Sequence, residues 1–254
     1  MSIISATGIP EIGPIVYPES DGKPLAESTK QLDWITLLYD NLRALYADRP
    51  DVFVGGDNFW YPVKGDPSQV LAPDVYVVFG RPKGDRGSYK QWLENDIPLT
   101  VTFEVRSPGN TDEEMIAKCD FYDHHGVQEY YHYDPETNKL EIRTRGRATL
   151  RMHHDIANFV SPQLGIRFEM TKPEMTVYGP DGKRFIDFTE SQAETRGARK
   201  LADEAKRQAD EAKRQKDQAV ALVARLAELS RKARRGQADA EELAELERLE
   251  DQST

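Results

Sequence analysis

Asp74, Glu104 and Lys118 fall in three successive segments: LAPDVYVVFG ending at Gly80, PLTVTFEVRSP ending at Pro108, and a stretch of helical periodicity after Thr111. Successive side chains of a strand point to opposite faces. In the second segment Leu99, Val101, Phe103 and Val105 share one face, so Thr100, Thr102, Glu104 and Arg106 share the other. In the first, Leu71, Val75, Val77 and Phe79 have one parity, and Asp74 points opposite to them with Tyr76 and Val78. If these strands are neighbours in one sheet, the two carboxylates can converge. Carboxylates that close repel unless a proton or a cation lies between them. Mg2+ meets that need with one or two carboxylates and leaves positions for water and phosphate oxygens. With a lysine beside it, such a pair suits phosphodiester hydrolysis. The plainer alternative is that Asp74 only turns the chain into its strand after Pro73, while Glu104 faces solvent.

The elements that must position these groups follow from periodicity and punctuation. Thr111 and Glu114 have capping-box spacing, which starts a helix after the Ser107-Pro108-Gly109-Asn110 turn. Met115, Cys119 and Tyr122 then form one buried stripe, and Lys118 borders it. That lysine either reaches the acids or lays its stem on apolar surface, paired with Glu114. Arg106 follows Glu104 by two residues on the same face and can hold phosphate charge, though not act as a base. Upstream, Ser28 with Gln31 caps a helix whose Leu32, Ile35, Tyr39, Leu42 and Tyr46 repeat at helical spacing. Glu27, just before it, is a candidate third acid. Strands are expected over Val52 to Val63, Val70 to Phe79, Leu99 to Arg106, Val127 to Tyr133 and Lys139 to Thr144, with short ones near Arg167 to Met170 and Met175 to Tyr178. The fold class is α/β, a mixed sheet flanked by helices. The connection from Arg81 to Pro98 is longer than most. It holds Arg81, Lys83, Arg86 and Lys90 beside Tyr89 and Trp92, so it either grips a phosphate backbone or is a solvated loop with its aromatics tucked inward. Neither His124 with His125 nor His153 with His154 has zinc-ligand spacing.

The ordered set Pro73-Asp74-Val75, FEVRSP from Phe103 to Pro108, Lys118, Tyr122 and GVQEYYHYDP from Gly126 to Pro135 resembles the Uma-two family of restriction-endonuclease-like proteins, within the PD-(D/E)XK nuclease superfamily. The resemblance covers Tyr17 to Asp187. It implies that Asp74 and Glu104 are ligands of Mg2+ or Mn2+, that Lys118 is the active-site lysine moved from the sheet to the helix, and that the substrate is DNA. The usual lysine position of the superfamily holds Arg106 here, and a histidine common in relatives is replaced by Gln31. The implied activity is a metal-dependent DNA endonuclease. The alternative is a degenerate nuclease fold that serves as a nucleic-acid or protein interaction module.

The 254-residue chain has a formal charge of -10, and its single cysteine, Cys119, rules out an internal disulfide. A reducing, cytoplasmic setting is expected. The first fourteen residues carry neither a signal-peptide pattern nor a membrane span. Residues 190–254 hold 14 basic and 15 acidic side chains, so the acidic excess lies in residues 1–189, which argues against a strong general DNA coater. Residues 1–27, rich in Pro and Gly, are expected to run extended, and 1–189 are expected to form the nuclease-like domain. Residues 190–254 read as a helical, coiled-coil tail. ADEAKRQ repeats from Ala202 and again from Ala209, and Leu201, Gln208, Gln215, Leu222 and Leu229 share a heptad position. Ala205, Ala212, Ala219, Leu226 and Ala233 share the other, a weak seam through which the chain is expected to form a homo-oligomer. The alternative is a single charged helix. Arg234-Arg235-Gly236-Gln237 breaks it, and Asp239 with Glu242 caps a last helix, giving a hairpin.

Overall fold

The helix expected after Ser28 forms as α1 (Thr29–Leu45), capped by the Ser28 hydroxyl, which accepts from the Gln31 N–H at 3.1 Å. The computed structural model describes residues 15–251 apart from 20, 21, 23, 24, 158 and 172, so most of the segment expected to run extended at the start lies outside the described residues. The run expected as one strand from Val52 is instead two, β1 (Val52–Gly55) and β2 (Phe59–Tyr61). The chain turns sharply between them, with Asp57 at φ 52°. There follow β3 (Val75–Phe79), an unexpected β4 (Ser88–Lys90) inside the long connection, a 3-10 turn over Gln91–Leu93, and β5 (Val101–Val105). Next come α2 (Asp112–His124), β6 (Glu129–Asp134), β7 (Lys139–Arg145), β8 (Leu150–Met152), β9 (Arg167–Glu169) and β10 (Thr176–Tyr178).

Six strands form one sheet in the order β1-β3-β5-β6-β7-β8. β5 and β6 run parallel, as a crossover through a helix requires, and the other pairings are antiparallel. β2 pairs with β4, and β9 with β10, in two small sheets. Strand alternation divides the core. Val75, Val77, Val101, Phe103 and Val105 pack in one cluster with Trp34, Ile35, Leu38 and Leu42 of α1. Tyr76, Val78 and Tyr130 pack in a second with Cys119 and Tyr122 of α2. The sheet is therefore flanked by a helix on each face, and residues of even number in β3 and β5 look toward α2.

One acid on the α1 face is structural. Glu129 is 1% exposed, and its Oε2 accepts from the Ser161 and Tyr131 hydroxyls at 2.5 and 2.8 Å while Oε1 accepts from the Gln163 N–H at 2.8 Å. A buried carboxylate satisfied on both oxygens ties the segment before β9 to β6.

Residues 189–254 make up a second compact unit, and 1–188 the first. α3 (Phe188–Arg234) runs for 47 residues and α4 (Ala240–Asp251) follows a turn with Gly236 at φ 67°. The Glu242 N–H donates to Asp239 Oδ1 at 2.8 Å, the cap expected from spacing. Arg225 pairs with Glu245 and Lys232 with Glu242, both bridging α3 to α4. Among the described residues no helix is long and apolar enough to cross a membrane.

Candidate active site

β5 carries Glu104 at the centre of the sheet, where it is 1% exposed. Its parity turns it toward α2, whose capping box at Thr111 and Glu114 is present in both halves. The helix lays Met115, Cys119 and Tyr122 inward, as the periodicity predicts. Lys118 and Tyr122, one helical turn apart, both close on the glutamate. Lys118 Nζ donates to Glu104 Oε2 at 2.6 Å, and the Tyr122 hydroxyl donates to Oε1 at 2.5 Å. Tyr122 was legible as part of a buried stripe and of the ordered set that carries the resemblance, but not as a partner of the acid; its spacing of four from Lys118 is the signal that could have assigned it.

Asp74 immediately precedes β3, which is antiparallel to β5. Its Oδ2 accepts from the Val105 N–H at 2.6 Å, one residue beyond Glu104. Burial and then the charge of Glu104 push its carboxyl well above the usual range, against the pull of Lys118 and the Val105 N–H. Burial alone would lower the Lys118 ammonium, but Glu104 and Asp74 outweigh it and hold the group above its ordinary value. The structure thus brings Asp74, Glu104 and Lys118 together. Burial and the Glu104 charge push the Tyr122 phenol well up, so Tyr122 stays a hydrogen-bond donor.

Two other candidates lie elsewhere. Arg106 follows the end of β5, where its guanidinium pairs with Asp112 at 2.6 Å and donates to the Asn110 carbonyl at 3.0 Å. Glu27 accepts from the Ser107 hydroxyl at 2.7 Å. Gln31 is buried and spans the Glu27 N–H and the Val105 carbonyl, each at 2.9 Å.

The basic connection points inward rather than toward a ligand. Arg81 and Arg86 both bond Glu94 at 2.7 Å, and Arg86 lies 4.0 Å over the Phe53 ring. Lys83 donates to the Tyr46 and Ala47 carbonyls at the end of α1. Tyr89 is fully buried and donates to the Ile97 carbonyl, while the Trp92 ring lies 5.0 Å from that of Tyr17, tilted by 51°. Tyr89 tucks inward as the second alternative expected, but the loop is not solvated: the Arg81 and Arg86 side chains are only 13% and 11% exposed and share Glu94, which satisfies both charges.

The donor set bears on which metal could bind. Among the described residues no three His, Cys, Asp or Glu side chains come together as a ligand group. Asp74 and Glu104 supply two hard, mutually repelling carboxylates in a buried place. That fits Mg2+ or Mn2+, which can take one or two carboxylates and otherwise water or phosphate oxygen, and does not fit an ion needing a full protein cage.

Among solved structures, a crystal structure described as a "putative nuclease belonging to DUF820" from Anabaena variabilis ATCC 29413 is similar at 15% identity, covering 58% of this chain and 84% of that one, with a TM-score of 0.40. No curated protein matches. The sequence model of the Uma2 family, described as "Putative restriction endonuclease", matches residues 19–181, a span that holds Asp74, Glu104, Lys118 and Tyr122, and the chain belongs to that family.

Proposed function

We propose that this protein is a metal-dependent endonuclease that hydrolyses phosphodiester bonds of DNA. The observation that carries the reading is Glu104, buried at the sheet centre, held by Lys118 and Tyr122, and near enough to Asp74 to raise its carboxyl. Asp74 and Glu104 would hold Mg2+ or Mn2+. A bound ion there would supply positive charge for the phosphate oxygens. Tyr122 fixes the Glu104 carboxylate in one orientation. Lys118 uses one N–H on Glu104 and keeps two for phosphate oxygens as negative charge develops. Arg106, at the end of β5, would hold an adjacent phosphate only by exchanging its Asp112 partner for it. The buried lone cysteine fits a cytoplasmic protein, and Leu201, 68% exposed on the seam of α3, fits a homo-oligomer.

The test is cleavage of plasmid and single-stranded DNA with Mg2+ or Mn2+. Glu104→Ala should abolish it, and Lys118→Met, which keeps the stem, should lower the rate by about 10²–10³, typical of losing a donor aimed at developing charge. Full activity in Glu104→Ala would overturn the reading. One observation favours a core that binds without cutting: both Glu104 oxygens already have protein partners. Metal-independent DNA binding with no cleavage by the wild type would establish that second reading.

A further inference from the structure

On the α2 face of the sheet a cleft of about 720 Å³ opens between α2 and the strands β6 to β8. Its volume is that of a small-ligand site rather than a packing gap. Met115 and Ile116 of α2 form one wall, and Met152, Ile156 and Met170 form another. Ile116 and Met152 stay 59% and 41% exposed, so apolar surface is left open to a ligand. Inside, the Tyr130 hydroxyl and His132 Nε2 are buried and have no hydrogen-bond partner, although Tyr130 as a whole is 1% exposed. Orphaned buried polar atoms cost stability and are rare, and here both line the cleft.

The charges around the cleft largely cancel. Arg106 is paired with Asp112 and Arg143 with Glu141, while Asp134 is taken up by the Thr137 turn. Lys139 and Asp120, which remain, are of opposite sign. This interior disfavours a phosphate and suits a flat, neutral heterocycle that presents a donor and an acceptor along one edge. Thioether and isoleucine walls would contact its faces, and the buried Tyr130 hydroxyl and His132 Nε2 would gain partners on its edge once it enters.

Position gives the occupant. His132 is the partner of Glu104 in the parallel β5–β6 register, and Thr102 is the partner of Tyr130. Paired residues sit one strand spacing apart, about 4.8 Å, on the same face. Arg106, two residues after Glu104, is on the cleft wall. Resting on the nuclease reading of Asp74, Glu104 and Lys118, we propose that this cleft takes one unpaired nucleobase of the substrate, so that the protein engages single-stranded or unstacked nucleic acid. A base removed from its stack exposes the edge and faces that such a pocket can hold.

The methionines provide a readout that does not depend on cleavage. Met115, Met152 and Met170 line the cleft, Met170 from the edge of the α1-side core, while Met175 is buried in that core and does not line the cleft. Full-length wild-type protein carrying 13C-methyl methionine would be titrated, in chelator so that no metal-dependent cleavage occurs, with each of the four deoxynucleosides and with a single-stranded oligonucleotide. The Met115, Met152 and Met170 methyls should shift and Met175 should not. Ile116→Trp, at an exposed position on the lip, should abolish the shifts. Tyr130→Phe should weaken nucleoside binding by about 3–10-fold, the range of one neutral hydrogen bond, without lowering the melting temperature, because the hydroxyl has no partner to lose. No shift with any of these probes, or unchanged binding in Ile116→Trp, overturns the pocket. Cleavage by the wild type with no methyl shifts would remove the pocket and keep the nuclease. Shifts without any cleavage would keep the pocket and remove the nuclease.

Discussion

Asp74 and Glu104 are both acids at the same place, yet they stand in opposite relations to stability. Glu104 has a cation on one oxygen and a phenol on the other, so it is a satisfied buried charge. Asp74 has a single N–H donor against burial and a neighbouring negative charge. Removing one partner of a buried pair leaves the other uncompensated. Glu104→Gln should therefore destabilise the fold by roughly 2–4 kcal/mol, somewhat below the full buried-pair cost because the Lys118 side chain is 25% exposed. Asp74→Asn keeps an acceptor for the Val105 N–H and removes the repulsion, so it should stabilise by about 0.5–2 kcal/mol, as relief of a strained functional group commonly does. Denaturant unfolding of both variants in chelator at pH 7.5 measures this. Equal destabilisation by both would mean that the two carboxylates do not oppose one another. Tyr122 belongs to the same scale: sequence showed its face but not its bond, since a hydroxyl on a buried stripe can find any of several partners.

Elements whose signals are local were legible in the sequence. α1 and α2 announced themselves through caps three residues long and apolar stripes at three and four, and both caps form. β3, β5, β6 and β7 were legible because each carries a run of β-branched or aromatic residues long enough to show alternation or full burial. β4 was not, because three residues pair in parallel with a strand almost thirty positions earlier and alternation needs a longer run. The basic connection left two readings open for a related reason: whether Arg81 and Arg86 face solvent depends on Glu94, eight to thirteen residues further on, folding back to accept from both. Burial opposes ionisation of Glu94, but its hydrogen bonds to Arg86 and Arg81 outweigh that and hold the carboxyl below the ordinary 4.5. A carboxylate with a depressed folded pKa adds stability that is present above its unfolded value and lost as pH falls through the folded one. Arg86→Ala should hence cost about 1.5–3 kcal/mol at pH 7, from the ion pair and the contact over Phe53, and clearly less in acid below pH 4.5. The slope of DNA affinity against salt should not change. A shallower slope in Arg86→Ala would return the loop to phosphate binding.

At the scale of the whole chain, the acidic balance and the long C-terminal helix raise one question, how the protein assembles. The heptad pattern gave two rows of seam positions, but they are unequal. Leu229 is buried within its unit, and the ion pairs of Arg225 with Glu245 and Lys232 with Glu242 flank it along the contact of α3 with α4. The leucine-rich end of the seam therefore faces its own hairpin. What remains for a second copy is Leu201, 68% exposed, with Ala205, Gln208, Ala212, Gln215 and Ala219. A fully buried leucine contributes about 1.5–3 kcal/mol and an alanine far less, while ordering side chains along a long helix opposes association. Self-association through α3 should thus be weak and concentration-dependent. Light scattering of the full chain should show mass rising between micromolar and hundred-micromolar protein, whereas a 1–188 fragment stays at the monomer mass. Leu201→Glu, which places charge on the open seam and leaves the hairpin alone, should abolish the rise. Leu229→Glu should instead melt the hairpin by helical circular dichroism. If Leu201→Glu leaves the rise intact while the fragment also associates, assembly runs through the nuclease-like unit and the tail has no part in it.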